Sequence, residues 1–425
     1  MRKIRSFLTK GAALTLLLAP SMTVLRADPA PGVVDATTLH RKIMCGYQGW
    51  FNCPGDGANL GWIHWSAHSN RIGPDTLKFD LWPDMSAYSA EEQYPAPGFT
   101  YPDGKPATLF SSHNPRTILR HFEWMRDYGI DGVWLQRFLV GLPGGPRADR
   151  YQALLDVLHG VRDAAAKTGR VWAIAYDEAA MPPDKMYDTL TADWKKLVDE
   201  KITSDPRYLH EGGLPVVEIW GFYHNGDHDF MTPEAGNKLI DFFQQPGPYQ
   251  ALVVGGGEWG WRSDPNPEWA KMFRRFKVWM PWNVGHYDRD AKTGLPCAST
   301  STWEGDLEAC KKNGTYLIPV IYPRYGTVRN RRKGQHVDIT REHGQFLWDQ
   351  YHRLSELGVD TAYVAMFDEL DEGTAIFKIT NHPPVHTDLV NLEGMPSDWY
   401  LRLVAKGGEM LREGEPVPAE IPIKP

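Results

Sequence analysis

Eight short runs of apolar, β-branched and aromatic residues recur along the chain, separated by polar residues, Gly and Pro. Such runs are typical of strands that are buried on both faces of a sheet. After the first, the runs begin about 26–46 residues apart, the separation expected of strand-loop-helix units. The predicted strands are Ile43–Phe51, Gly132–Leu139, Val171–Tyr176, Pro215–Phe222, Ala251–Gly255, Lys277–Trp282, Thr315–Tyr322 and Thr361–Phe367.

Helical patterns fill the intervals between these runs. One predicts a helix over 115–128, with Asn114 as its N-cap, Pro115 at its first position and Gly129 after its end. Further helices are predicted over Asp149–Thr168, Thr340–Leu357 and Ser397–Leu411. Strands that alternate with helices imply a parallel sheet. Eight such units favour a (β/α)8 TIM barrel over an open doubly wound sheet.

The interval after the first strand is unusual, because about 60 residues rich in Gly, Pro, Trp and Tyr precede the first helix. A loop of this length in a compact enzyme usually serves as a lid or a binding wall. We therefore expect an elaborated barrel with a long, aromatic-rich first βα loop. No internal repeat or mid-chain linker interrupts residues 42–412, which we assign to one domain followed by a Pro-rich tail over 413–425.

The first residues have the pattern of a secretory signal peptide. A basic segment, 1–10, precedes an apolar segment, 11–20, that is too short to span a bilayer, and Ala27 offers a cleavage site. We predict a signal peptide over 1–27 and a Pro/Ala-rich leader over 28–41. No later stretch is apolar enough for a transmembrane helix, so the mature protein is expected to be exported, to the periplasm or the exterior.

The charge and the aromatic and cysteine content of the chain indicate which kinds of ligand and cofactor to expect. The formal charge is -7 and the pI is near 6.1, which gives no reason to expect nucleic acid or an anionic membrane. The 17 Trp, 18 Tyr and 16 Phe suit stacking on the apolar faces of sugar rings. Four cysteines suit an oxidising compartment, and Cys297 and Cys310 flank a polar loop that a disulfide would close. No Cys or His cluster has zinc-like spacing, and we expect no cofactor.

Polar and aromatic residues recur where the predicted strands end, the edge at which barrel enzymes build their sites. This repetition predicts a cleft lined by stacking faces and hydrogen-bonding groups. The candidate substrate-binding residues are Tyr47, Gln48, Trp50, Asp177, Glu178, Trp220, Tyr223, Glu258, Trp259, His286, Tyr287, Arg324 and Tyr325.

The last strand ends at four carboxylates within five residues, Asp368, Glu369, Asp371 and Glu372, and Gly373 follows them. Carboxylates this close push one another's pKa values apart, as an acid/base pair requires. Two other interpretations stay open from spacing alone. One is a solvated acidic turn. The other is a Ca²⁺ site, although the alternating ligands of an EF-hand loop are missing.

The abundance of carboxylates at the strand ends favours glycoside hydrolysis, which needs one protonated and one ionised carboxyl group. No G-x-S-x-G segment suggests a serine nucleophile. A non-catalytic carbohydrate-binding barrel is the alternative, since it would need the aromatic residues but no acid. Both interpretations make an oligosaccharide or polysaccharide the expected ligand.

The segment 367–374, Phe-Asp-Glu-Leu-Asp-Glu-Gly-Thr, resembles the N-E-W-H-E-G-T motif of glycoside hydrolase family 99, the endo-α-mannosidases, within the broader family 71/99-like group. The segment 46–50, Gly-Tyr-Gln-Gly-Trp, is similar to that family's first-strand Y-x-P-W. Pro323-Arg-Tyr, Arg329 and the segment 341–346 resemble its seventh-strand loop and the helix that follows.

The resemblance implies a (β/α)8 barrel of retaining enzymes. In that family one glutamate deprotonates the sugar 2-hydroxyl, which attacks the anomeric carbon, and a second glutamate acts as acid and then as base. By position, Glu369 takes the first role and Glu372 the second.

The motif's Asn, Trp and His are Asp368, Leu370 and Asp371 here, so mannan specificity is not carried over. The sugar, the linkage and endo or exo action stay open, and basic Arg324, Arg329, Arg331 and Arg332 leave an acidic or sulfated substrate open.

Overall fold

The computed structural model describes residues 32–223, 231–328, 339–386 and 389–425. The predicted signal peptide, residues 28–31 of the leader, and Arg329, Arg331 and Arg332 lie outside the described residues. The division of the chain into leader, barrel and tail therefore stays a prediction. Within the described ranges, no helix combines the length and the apolar character needed to cross a membrane.

Eight parallel strands form the barrel, and nearly all of their residues are buried. The strands are β1 Ile43–Tyr47, β2 Gly132–Phe138, β3 Val171–Asp177, β4 Leu214–Phe222, β5 Leu252–Gly257, β6 Val278–Pro281, β7 with its two segments Tyr316–Leu317 and Val320–Ile321, and β8 Ala362–Val364. The predicted TIM barrel is confirmed. The apolar runs are buried on both faces because side chains fill the barrel interior and helices cover its exterior.

Strand β7 closes the barrel although it is interrupted at Ile318 and Pro319. Its first segment pairs with β6, with Tyr316 opposite Val278. Its second segment pairs with β8, with Val320 opposite Tyr363. The remaining ladders follow chain order from β1 to β6, and β8 pairs with β1. The ring is thus complete.

The four predicted helices are present, although three of them begin later than predicted, at Tyr151, Gln345 and Trp399. The helices are α1 Pro115–Asp127, α2 Tyr151–Thr168, α3 Pro183–Asp199, α4 Pro233–Gln244, α5 Pro267–Phe273, α6 Trp303–Asn313, α7 Gln345–Glu356 and α8 Trp399–Glu413. The Asn114 side chain accepts a 3.0 Å hydrogen bond from the Arg116 N–H and caps α1. Gly169 ends α2 in the left-handed conformation, with φ +70°, which Gly adopts without steric cost.

Strands β1 and β8 end several residues before the apolar runs that predicted them. Strand β1 stops at Tyr47 rather than Phe51, since the chain turns at Gly49, whose φ is +60°. Strand β8 stops at Val364, and residues 366–377 fold back on themselves through hydrogen bonds such as Ala375 N–H to Glu369 C=O at 2.8 Å. This early end brings carboxylates three positions apart onto one loop, which a continuing strand would not do.

The long first βα loop is packed around an aromatic cluster. Trp65 lies 4.3 Å from Phe51 and 5.0 Å from both Phe79 and Phe110, measured between ring centroids. A hairpin of Tyr94–Thr100 with Pro106–Leu109 extends the loop. The loop is a wall of the barrel mouth, held to the segment after β8 by the Asp84 N–H and the Lys378 C=O at 2.9 Å.

The structure describes all four cysteines and the C-terminal tail. All four cysteines carry free thiols, so Cys297 and Cys310 are not bridged. Cys297 lies in a short hairpin, Tyr287–Arg289 with Pro296–Ala298, whereas Cys310 is buried in α6. The tail lies against α7, where the Trp348 indole N–H donates to the Pro418 C=O at 2.8 Å.

Candidate active site

The loop after β8 is fixed to the end of β1 by one buried carboxylate. Asp368 accepts hydrogen bonds from the Gln48 N–H at 2.7 Å and from the Gly49 N–H at 3.0 Å. Burial raises the pKa of Asp368 to about 7, while these two donors oppose the shift. Asp368 thus orients the loop that carries the other acidic residues.

Glu369 lies beside this contact and is only 2% exposed. Its Oε2 accepts a 2.6 Å hydrogen bond from the Gln48 side-chain amide, and its Oε1 accepts one of 2.7 Å from the Asp371 N–H. Burial, followed by the charges of Asp371, Glu372 and Asp368, raises the pKa of Glu369. The two N–H donors, in contrast, favour its ionised form.

Asp371 is held by two residues of the long first loop. Its Oδ2 accepts hydrogen bonds from Lys78 Nζ at 2.6 Å and from His64 Nδ1 at 2.8 Å. Burial opposes the ionised form of Asp371, but His64 and Lys78 outweigh it and hold the pKa of Asp371 below its usual value. Burial also lowers the pKa of His64 to about 4, so this imidazole is neutral near pH 7 and Lys78 supplies the compensating charge.

Glu372 faces a cavity of about 880 Å³ at the mouth of the barrel, which we call the cleft. Burial, and then the charges of Asp371 and Asp177, raises the pKa of Glu372 to about 7. Tyr325 also lines the cleft, and burial together with the charges of Glu372 and Glu369 raises its pKa to about 12. The cleft therefore contains a carboxyl group that is suited to give up a proton near neutral pH.

A second group of acids lies at β3 and β4. Glu178 and Glu218 are fully buried, and none of their carboxylate oxygens has a hydrogen-bond partner in the described residues. Burial, with the charge of nearby Asp177, raises the pKa of both. Burial also raises the pKa of Asp177 to about 7. Asn283, after β6, is likewise buried, and its amide has no partner within the part of the chain that the structure describes. Unpartnered polar groups are costly in an interior, and a polar ligand or water that reaches them offsets that cost.

Three predicted binding residues have their side chains engaged within the protein. The Tyr47 hydroxyl is buried, 2.9 Å from His121 Nδ1. The guanidinium of Arg324 is buried in a bidentate ion pair with Asp80, with one contact of 2.9 Å. Trp50 stacks on His64 at 3.6 Å between ring centroids. These contacts hold the walls of the cleft together.

The remaining predicted aromatic residues form pairs at the ends of β4, β5 and β6. Trp220 lies 5.1 Å from Tyr223, and Trp259 stacks on exposed His286 at 4.5 Å with an angle of 11° between the rings. Half-buried Tyr287 begins the short hairpin after β6. The Glu258 side chain accepts a hydrogen bond from the Gly260 N–H at 3.2 Å within its own turn.

The four basic residues that line the cleft, His64, Lys78, Arg147 and Arg150, were not among the sequence candidates. The first two belong to the long loop, which has no periodicity that would indicate their direction. The other two follow β2 and precede α2. A cation at a helix N-terminus opposes the helix dipole, and this unfavourable placement of Arg150 is the signal in the sequence that points to it.

The carboxylates after β8 do not form a cation site. Asp368 is bonded to backbone N–H groups and Asp371 to Lys78 and His64. Throughout the described chain, no three His, Cys, Asp or Glu side chains converge as a metal ion would require. The geometry favours an acid/base interpretation of this loop over the Ca²⁺ interpretation.

Comparison with solved structures identifies barrels of the same fold. The GH99 endo-α-mannosidase from Bacteroides thetaiotaomicron superposes with a TM-score of 0.65 at 16% identity, over 89% of this chain and 99% of that chain. Its complex with bis-tris propane gives 0.64 at 17% identity, over 88% and 98%. No protein-family model and no curated protein matches the chain. The predicted resemblance to the family 99 group is thus confirmed at the level of the fold.

Proposed function

We propose that the protein is an exported glycoside hydrolase that cleaves an oligosaccharide or polysaccharide, with Glu369 and Glu372 as its catalytic pair. One observation carries the proposal: the Glu372 carboxyl faces a large cleft at the mouth of a barrel, with its pKa raised to about 7. The similarity in fold to endo-α-mannosidase structures supports it. The sugar and the linkage are not part of the proposal.

The proposed roles follow the resemblance of the loop after β8 to the family 99 motif. Glu369 accepts the proton of the sugar 2-hydroxyl while O2 forms a bond to the anomeric carbon. The glycosidic bond breaks, and Glu372 gives its proton to the leaving oxygen. Glu372 then takes a proton from water as that water adds to the anomeric carbon of the 1,2-anhydro sugar. The bond between the anomeric carbon and O2 breaks, and Glu369 returns its proton to O2. Two displacements give net retention.

The surroundings of the pair support this division of roles. Two N–H donors contact Glu369 and favour its ionised form. Burial and neighbouring carboxylates raise the pKa of both glutamates. Close carboxyl groups share protons, and the two hydrogen bonds to Glu369 are the feature that favours Glu372 as the holder, as an acid in the first step requires.

Tyr325 lines the cleft near both glutamates and is proposed to contact the sugar between them. Asp177, the Trp220–Tyr223 pair and the Trp259–His286 pair are proposed to form outer parts of the binding surface. Tyr47 and Arg324 are assigned positioning roles instead, because His121 and Asp80 occupy their polar groups.

A non-catalytic glycan-binding barrel is the second candidate, and one observation favours it. Glu369 is almost completely enclosed, and both of its carboxylate oxygens accept hydrogen bonds. A base that acts on a sugar hydroxyl must exchange one of these contacts for the sugar. If Gln48 keeps its hydrogen bond to Glu369 when a glycan binds, the barrel binds the glycan without cleaving it.

A product-resolved glycan screen separates the two candidates. Wild-type protein, Glu372→Gln and the exposed-surface control Glu356→Gln are incubated with α- and β-linked oligosaccharides and with activated aryl glycosides. The proposal requires cleavage by wild type and by the control, with loss in Glu372→Gln. Binding of a glycan without cleavage by wild type at any pH establishes the second candidate.

A further inference from the structure

Part of the cleft wall is basic. Lys78 comes from the long first loop, while Arg147 and Arg150 come from the segment between β2 and α2. Lys78 is paired with Asp371 at 2.6 Å. Arg147 forms an exposed pair of 3.3 Å with Asp149. Two of the three cations thus have an acidic partner within the protein.

Arg150 differs from the other two cations. Its Nε is buried without a hydrogen-bond partner, and no carboxylate of the described residues forms an ion pair with it. Burial, and then the charge of Arg147, lowers the pKa of Arg150. A guanidinium stays charged at any ordinary pH, so Arg150 is a partly buried cation that is offset by the nearby charge of Asp149 without forming an ion pair with it, since Asp149 is paired with Arg147. Such a placement is costly unless a ligand provides the counter-charge.

The position of Arg150 in the fold adds to this cost. It directly precedes α2, a helix of 18 residues, and no side chain caps that helix. The N–H groups of a first helical turn carry partial positive charge, which disfavours a cation and favours an anion. The side chain also contacts a small apolar pocket of about 160 Å³, lined in part by Trp50, Phe138 and Leu154. These three neighbours provide no counter-charge for it.

We propose that Arg150, assisted by Arg147, binds an anionic substituent of the substrate, a carboxylate or a sulfate ester on a sugar unit in the cleft. A guanidinium fork pairs with either group through two parallel hydrogen bonds. A neutral sugar would bring no counter-charge to Arg150. The acidic side of the same cleft opposes this binding little, because Lys78 offsets Asp371 and the raised pKa of Glu372, about 7, reduces its negative charge near neutral pH.

This inference rests on the proposed function, since it assumes that the cleft takes a glycan. Arg150 takes the place of the arginines that the sequence suggested as contacts for an acidic substrate. Arg324 is paired with Asp80, and Arg329, Arg331 and Arg332 lie outside the described residues. The inferred ligand also differs from mannan, which carries no charge.

Binding is measured by calorimetry in the Glu372→Gln background, so that no turnover is needed. The probes are oligosaccharides of polygalacturonate, of κ-carrageenan and of neutral mannan and starch, which separate carboxylate, sulfate and uncharged ligands. At least one anionic probe is expected to bind tenfold or more tightly than the neutral probes. A second substitution, Arg150→Gln, is expected to weaken that binding tenfold or more, as loss of a charged hydrogen-bonding partner does.

Arg116→Gln is the matched control, because Arg116 lies in the first turn of α1 but is exposed and outside the cleft. Arg147→Gln, at an exposed residue, provides a second test if Arg150→Gln folds poorly, with a smaller loss expected. Neutral probes that bind as tightly as anionic ones overturn the inference. So do equal effects of Arg150→Gln and Arg116→Gln, and so does an absence of binding to every anionic probe. Failure of wild type to cleave any glycan would instead overturn the proposed function.

Discussion

The side-chain amide of Gln48 donates a 2.6 Å hydrogen bond to the carboxylate of Glu369, which joins the end of the first barrel strand to the loop after the eighth. The contact orients Glu369 and favours its charged form, and it also covers the oxygen that a sugar hydroxyl would approach. Gln48 is therefore both a support for the proposed base and a barrier in front of it.

Replacement of Gln48 by Ala tests that dual role. A hydrogen bond to a charged group contributes about 1.5–3 kcal/mol, so kcat/KM is expected to fall about tenfold to a hundredfold, with glycan binding nearly unchanged. Steady-state kinetics and calorimetry measure the two quantities. Gln152→Ala, on the exposed side of α2, is the control and should retain full activity. A faster Gln48→Ala enzyme would show that the contact only obstructs the site.

Replacement of Glu372 by Gln removes the proposed acid. General acid–base catalysis contributes about 10²–10⁴-fold, and a loss of this size in kcat is expected on natural glycans. Aryl glycosides whose leaving group needs no protonation should recover the first step, visible as a burst of phenolate in rapid-mixing experiments. Full activity on unactivated glycans would assign the acid to another residue, with Asp177 the next to test.

The charge of Asp371 is predicted to set the alkaline limit of activity. Activity requires protonated Glu372 and should fall as pH rises through about 7, the pKa to which Glu372 is raised. Asp371→Asn removes a negative charge that raises the pKa of Glu372. It also releases Lys78 from its ion pair, and the positive charge of Lys78 lowers the pKa of Glu372. Both effects move the alkaline limb of kcat/KM to lower pH. Asp75→Asn, at an exposed pair with Arg71, should leave the profile in place, and an upward shift in Asp371→Asn would contradict the assignment.

Glu218 is predicted to make folding stability depend on pH. Burial raises its pKa in the folded state well above the ordinary value of 4.5. The stability linked to it is therefore fully present below about pH 4.5 and is lost as pH rises through the folded-state pKa, by up to about 1.4 kcal/mol per pH unit. Glu218→Gln does not titrate, so its melting temperature should rise relative to wild type between pH 5 and pH 8.

Thermal unfolding monitored by circular dichroism checks this prediction, with Glu234→Gln on the exposed first turn of α4 as the control. The control should follow wild type at every pH. A constant difference between Glu218→Gln and wild type across the range would mean that Glu218 is ionised in the folded protein.

The barrel was predictable because its signals are local. Apolar runs marked all eight strands, and Asn114, Gly129 and Gly169 marked helix ends where the structure has them. The strand ends were placed too late at β1 and β8. At β1 the chain turns at Gly49, whose N–H is bonded to Asp368 across about 320 residues of sequence. Periodicity does not report such a contact.

The candidate site was predictable in its location more than in its contacts. The sequence placed the acidic loop and Tyr325 at the barrel mouth, where the structure has them. It could not show that Tyr47 bonds to His121 or that Arg324 is paired with Asp80, since strand alternation does not identify a buried partner. Lys78 and His64 lie in a loop without regular structure, and their pairing with Asp371 depends on how that loop packs.

The contact of Asp368 with the backbone of Gln48 and Gly49 has a consequence for biosynthesis. The two halves of the site are separated by most of the coding sequence, so a growing chain has no complete site until nearly all of it has left the ribosome. Ring closure over such a span is slow relative to local folding. Premature termination before the eighth strand would therefore yield a polypeptide without the acidic half of the cleft, and β1 would be left with an unpaired edge.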